Sequence, residues 1–80
     1  MTESEARRLV LQSARNARKA YRRADSAGEV LERWLDRMID RKTRIRFSQA
    51  EAVIVKWEAY RDNVGSLEKA LGDFLQATMI

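Results

Sequence analysis

The stretch Val10–Met38, VLQSARNARKAYRRADSAGEVLERWLDRM, decides the fold. Its residues Val10, Ala14, Ala17, Tyr21, Ala24, Gly28, Leu31, Leu35 and Met38 follow one another in unbroken steps of four and three. That spacing keeps each of them on one side of a helix, as in the seam of a coiled coil, and a strand would require alternation instead. A second series runs from Ala50 through Val53, Trp57, Tyr60, Val64, Leu67, Leu71 and Phe74 to Thr78. Two long helices, at about 3–41 and 49–78, are therefore expected.

Helix boundaries have their own chemical signals. Thr2 with Glu5, and Ser48 with Glu51, are spaced as capping boxes, in which each side chain satisfies an otherwise unpaired N–H of a first helical turn. Glu3 and Glu5 suit the positive end of a helix dipole, and Arg37 and Arg41 the negative end. Between the two series, residues 41–47 break the spacing. A connection that short makes the helices antiparallel neighbours. A constant register then sets Met38 against Val53, Leu35 against Trp57, Leu31 against Tyr60, Gly28 against Val64, Tyr21 against Leu71 and Ala17 against Phe74, so that small residues oppose large ones. Trp57, Tyr60, Phe74 and Tyr21 are all expected in the core on this reading. Ser26 with Glu29 around Gly28, and the run Asn63 to Ser66, could instead end and restart helices, giving four shorter ones. The spacing passes both places without a slip, which favours two helices with at most a kink at Gly28 or Gly65.

An all-α antiparallel hairpin forming one domain over residues 1–80 still needs more cover than it can give itself. Below about 80 residues a single core rarely outweighs an ordering cost of roughly 1.5 kcal/mol per residue. Cysteine and histidine are absent, so neither disulfides nor the common zinc and di-iron ligand sets can staple the chain. A second copy is the simplest remaining staple, and closure into a homodimeric four-helix bundle is expected. Ala20, Ala27 and Trp34 on the first helix, and Ile54, Ala70 and Leu75 on the second, flank the seams and are the expected dimer or partner interface. Leu9, Leu11, Val30 and Val55 fall on outward positions.

Charge is unevenly distributed. Residues 1–46 carry 13 basic and 7 acidic side chains, net +6, whereas residues 47–80 carry 3 and 5, net −2. Arg7, Arg8, Arg15, Arg18, Lys19, Arg22 and Arg23 follow with no acid between Glu5 and Asp25. Arg8, Arg15 and Arg22 form one column at heptad spacing, with Arg18 and Lys19 beside it, a positive stripe of roughly 20 Å. Such a stripe suits an acidic protein face or a phosphate backbone, and it also solvates an alanine-rich helix. Arg41, Lys42, Arg44 and Arg46 form a second cluster in the connection.

Catalysis finds little support. Serines and lysines occupy outward or capping positions, and no nucleophile with an adjacent base can be assembled from them. The seams contain no Arg or Lys that could stabilise a transition state inside a bundle. Carboxylates at Glu29, Glu32, Asp36 and Asp40 alternate with Arg33, Arg37 and Arg41, which reads as helix-surface pairing and not as a metal site. No apolar run approaches bilayer length, and the residues opposite the basic stripe are mostly alanines, poor anchors for a membrane surface. The expectation is a cytoplasmic, non-enzymatic homodimer without cofactor or metal. It would act as a protein–protein interaction module, a small adaptor, regulator or inhibitor. The alternative is a hairpin dimer that binds an RNA or DNA backbone through Arg8, Arg15, Arg18, Lys19, Arg22 and Arg23.

Overall fold

The computed structural model describes residues 2–40 and 47–79, with the side chains of Asp40 and Phe47 left out of account. Two helices make up the fold, α1 (Glu3–Asp40) and α2 (Phe47–Thr78), and no strand occurs among the described residues. The Arg41, Lys42, Arg44 and Arg46 cluster lies outside the described residues. At 1.5 Å per residue the helices are about 57 and 48 Å long, yet the whole molecule measures 63 × 15 × 13 Å. The helices must lie side by side, as an all-α hairpin.

Thr2 caps α1. Its Oγ1 accepts a hydrogen bond from the Glu5 N–H at 3.2 Å and its carbonyl accepts one from Ala6 at 3.0 Å, satisfying two first-turn donors. The corresponding expectation at Ser48 needs correction. Helix α2 begins at Phe47, so Ser48 lies within its first turn and does not precede it.

Both helices run through the places where a break was conceivable. Gly28 and Gly65 keep ordinary helical dihedrals, with no positive φ at any described glycine. Asn63 and Ser66 do not act as a stop and a new cap. The Asn63 side-chain amide donates to the Ala59 carbonyl at 2.8 Å and the Ser66 hydroxyl to the Asp62 carbonyl at 3.2 Å, so each bonds back onto its own preceding turn.

The structure rotates the contact line relative to the expected one. Residues shielded on α1 are Ala6, Val10, Ser13, Ala14, Ala17, Ala20, Ala24, Ala27, Gly28, Val30, Leu31, Trp34 and Met38. On α2 they are Gln49, Ala50, Ala52, Val53, Lys56, Tyr60, Asn63, Val64, Leu67, Ala70, Phe74 and Ala77. Most of the expected seams is retained, but Tyr21, Leu35, Trp57, Leu71 and Thr78 are exposed and neighbours on one flank are shielded in their place. Tyr21 and Trp57, expected in the core, are 57% and 47% exposed, and Leu35 and Leu71 are exposed as well. Close approach explains the rotation. The flank that turns inward carries Ser13, Ala20, Ala27 and Trp34 on α1 and Gln49, Lys56, Asn63, Ala70 and Ala77 on α2, among which the serine and the alanines let the axes approach. The other flank carries Tyr21, Leu35, Trp57 and Leu71, which two helices alone cannot enclose. Ala17 and Ala24, at 9% and 5% exposure, are the only buried residues among those described.

Gly28 is the one glycine that the packing requires. A Cβ there would stand 3.1 Å from Cε2 of the Tyr60 ring, whereas Gly65 and Gly72 face open space. Gly65→Ala and Gly72→Ala should each stabilise the fold by about 0.5–1 kcal/mol, because alanine loses less backbone entropy in a helix. Gly28→Ala should gain less than either, as the tyrosine ring has to give way. Thermal melts of the three variants check the ranking. Ala24→Leu overfills the tightest place between the helices and should cost about 1–3 kcal/mol in denaturant unfolding.

Candidate functional site

Seven cations define the first surface. Arg7, Arg8, Arg15, Arg18, Lys19, Arg22 and Arg23 are all exposed on α1. Counted from the buried Ala17 and Ala24 at 100° per residue, Arg8, Arg15 and Arg22 lie almost opposite the contact with α2. The helix that displays them is stiffened locally by polar side chains. The Gln12 amide donates to Asn16 Oδ1 at 3.1 Å, and the Ser13 hydroxyl donates to the Val10 carbonyl at 2.9 Å. Leu9 and Leu11 are exposed close by, so apolar side chains interleave with the charges, while Val30, expected outward, is half-buried.

Of the residues expected to meet a second chain, Ala20, Ala27, Trp34 and Ala70 are half-buried and lie on the flank that turns toward the other helix. Ile54 and Leu75 are more than half exposed. Trp34 has a distinct setting. The Arg37 guanidinium carbon stands 5.6 Å from its ring centroid, a cation–π arrangement, and both residues line a cleft of about 210 Å³ with Met38 and Gln49.

A further surface was not anticipated from the sequence. On the flank turned away from the contact line, Tyr21, Leu35, Trp57 and Leu71 are exposed along the groove between the helices. An open cleft of about 650 Å³ runs there, floored by Ala24, Gly28, Leu31, Tyr60, Val64 and Leu67, with Asp25, Glu29 and Glu32 at its edge. Trp57 and Tyr60 are paired at 6.1 Å between ring centroids with their planes tilted by 43°. The signal was present in the spacing. Each heptad of α1 offers three apolar or small positions, such as 17, 20 and 21 or 24, 27 and 28, and a stripe three-sevenths wide cannot be covered by one partner helix.

Among the described residues no group of three His, Cys, Asp or Glu side chains is placed to hold a metal ion. No helix among them is long and apolar enough to cross a membrane. Arg37→Ala should remove the cation over Trp34, lowering stability by about 0.5–1 kcal/mol and red-shifting the tryptophan emission as water reaches the ring. Fluorescence-detected unfolding measures both effects. No protein-family model matches the chain, and neither a similar curated protein nor a similar solved structure was found.

Proposed function

We propose that the hairpin is antiparallel, that two chains close into a four-helix bundle, and that this homodimer is a non-enzymatic module whose work is to bind another protein, as a small adaptor, regulator or inhibitor. The antiparallel sense follows from chain reach. Six residues join Asp40 to Phe47, and an extended chain of seven steps covers at most about 25 Å. That is half of the distance needed to return along a helix of about 48 Å and start it in the parallel sense.

The observation that carries the dimer is surface area. A compact monomer of 9.3 kDa exposes about 5,000 Å² by the usual scaling of area with mass. This chain exposes 6778 Å². Tyr21, Leu35, Trp57 and Leu71 expose apolar surface on one flank, where burial contributes roughly 25 cal/mol per Å². Nothing in a single chain can recover that energy, and a copy of the chain is always at hand.

The basic stripe supports the second half of the proposal. A protein contact uses apolar anchors among complementary charges, and Leu9 beside Arg8, Arg15 and Arg22 offers that mixture. A nucleic-acid backbone is the second reading, favoured by the run of seven cations. Phosphate contacts need no aliphatic neighbours, which makes the protein partner the better account.

Sedimentation equilibrium at micromolar concentration should return twice 9.3 kDa, and the mass of one chain contradicts the dimer. The triple change Arg8→Glu, Arg15→Glu and Arg22→Glu should abolish capture of the partner from host extract while leaving that mass unaltered. Titration with duplex DNA and structured RNA distinguishes the second reading. Binding that weakens steeply and linearly in log–log form with salt would favour nucleic acid, and weak or salt-insensitive binding is the result expected here.

A further inference from the structure

The open flank between the helices has a symmetry that names its occupant. Consider the outward edge of α1 on that side, Leu11, Arg18, Asp25, Glu32 and Ile39, all exposed and seven residues apart. Reflected about Asp25, Leu11 falls on Ile39 and Arg18 falls on Glu32. The edge of α2 behaves likewise: reflected about its middle, Ile54 falls on Leu75 and Arg61 on Glu68. Apolar residues thus meet apolar ones, and each cation meets an anion. The inner row is related by the same reflection, small residues meeting large ones on α1 and apolar ones meeting apolar ones on α2. Ala14 falls on Leu35 and Gly28 on Tyr21 in α1, and Trp57 falls on Leu71 in α2 with Val64 at the centre.

Two independent helices need not share a centre of reflection, yet these do. Asp25 of α1 and Val64 of α2 line the same cleft, so both centres lie at one level of the rod. One two-fold axis, perpendicular to the long axis and passing through that level, satisfies every correspondence at once.

We infer that this flank is covered by a second copy of the chain, laid face to face and pointing the opposite way, with α1 over α1 and α2 over α2 of the partner. The inference deepens the dimer proposed above and rests on it. Area agrees with the assignment, since a face of 63 by 15 Å is roughly 900 Å² in projection and a standard interface takes about 800 Å² from each partner. A parallel stacking would instead place α1 over α2 and set Asp25 between Arg61 and Glu68 of the second copy, and the cross-links described below distinguish the two orientations.

The arrangement has a consequence for charge. α1 carries nine cations against seven carboxylates and α2 three against five. Stacking like helices on like gathers the positive pair on one side of the bundle and the negative pair on the other. The two Arg8, Arg15 and Arg22 columns then sit at opposite ends of the positive side, giving two equivalent sites. One mismatch remains in this packing, because the two Asp25 carboxylates approach each other at the axis.

The chain has no cysteine, so introduced thiols report orientation directly. Asp25→Cys should self-cross-link on oxidation as the main product, since its two copies adjoin the axis and disulfides form only when Cα atoms come within about 7 Å. Arg33→Cys, on the outer surface, should not. Leu11→Cys and Ile39→Cys should each remain uncross-linked alone and join when mixed. Arg18→Glu should weaken the dimer roughly tenfold, two charge pairs being lost per dimer, and adding Glu32→Arg should restore it. Asp25→Asn should tighten it. A wild-type chain that sediments as a monomer overturns both this inference and the dimer. A dimer in which Asp25→Cys cross-links no better than Arg33→Cys overturns this face and orientation alone.

Discussion

Everything in the molecule follows from how closely two helices approach along the row Ala17, Ala24, Leu31 and Met38. Alanine at the tightest points brings the axes together, and the helix on either side of that row offers two candidate flanks. One is small, with Ser13, Ala20 and Ala27, and the other bulky, with Tyr21 and Leu35. Only the small flank fits beneath a neighbouring helix while the row itself stays in contact. The bulky flank is thereby displaced to the side. It is the displacement that leaves Tyr21, Leu35, Trp57 and Leu71 exposed on a single chain.

This division of labour recurs on α2. There Asn63, Ala70 and Ala77 turn inward, whereas Trp57, Leu71 and the edge residues Ile54 and Leu75 stay outside. Helix α1 separates its apolar and charged sides more sharply than α2, which spreads apolar residues over two faces. A helix apolar on two faces belongs inside a bundle of more than two. Polar side chains assist without directing the fold. Asn63, Ser66 and Ser13 bond to carbonyls of their own helices and leave the burial of aliphatic and aromatic surface as the driving term.

Much of the architecture was legible in the residues. Two helices, the position of the connection, the continuity through Gly28 and Gly65, and the Thr2 cap all follow from spacing and capping chemistry. The rotation of the contact line was not anticipated. A row at steps of four and three, chosen for the largest side chains, selects Tyr21 and Trp57. The same spacing, chosen for close approach, selects Ala20 and Lys56. Periodicity is identical in the two cases, and only the volume available between two axes decides between them. The flank alanines were therefore set aside for a partner when the hairpin needed them itself. The start of α2 at Phe47 lies upstream of the one that the Ser48 capping signal marked. The exposed cations of α1 were readable as exposed, because a run of arginines opposite a small-residue row has nowhere else to point.

The most direct measurement of the central claim is the emission of Trp57 alone, with Trp34→Phe, followed by dilution through the range where sedimentation shows the mass change. Trp57 is nearly half exposed in one chain and lies on the flank that the proposed second copy would cover. Its emission should move to the blue as the dimer forms, tracking the increase in mass. Emission that stays constant while the mass doubles would mean that the neighbour sits elsewhere, and the account of how this chain completes its fold would be contradicted.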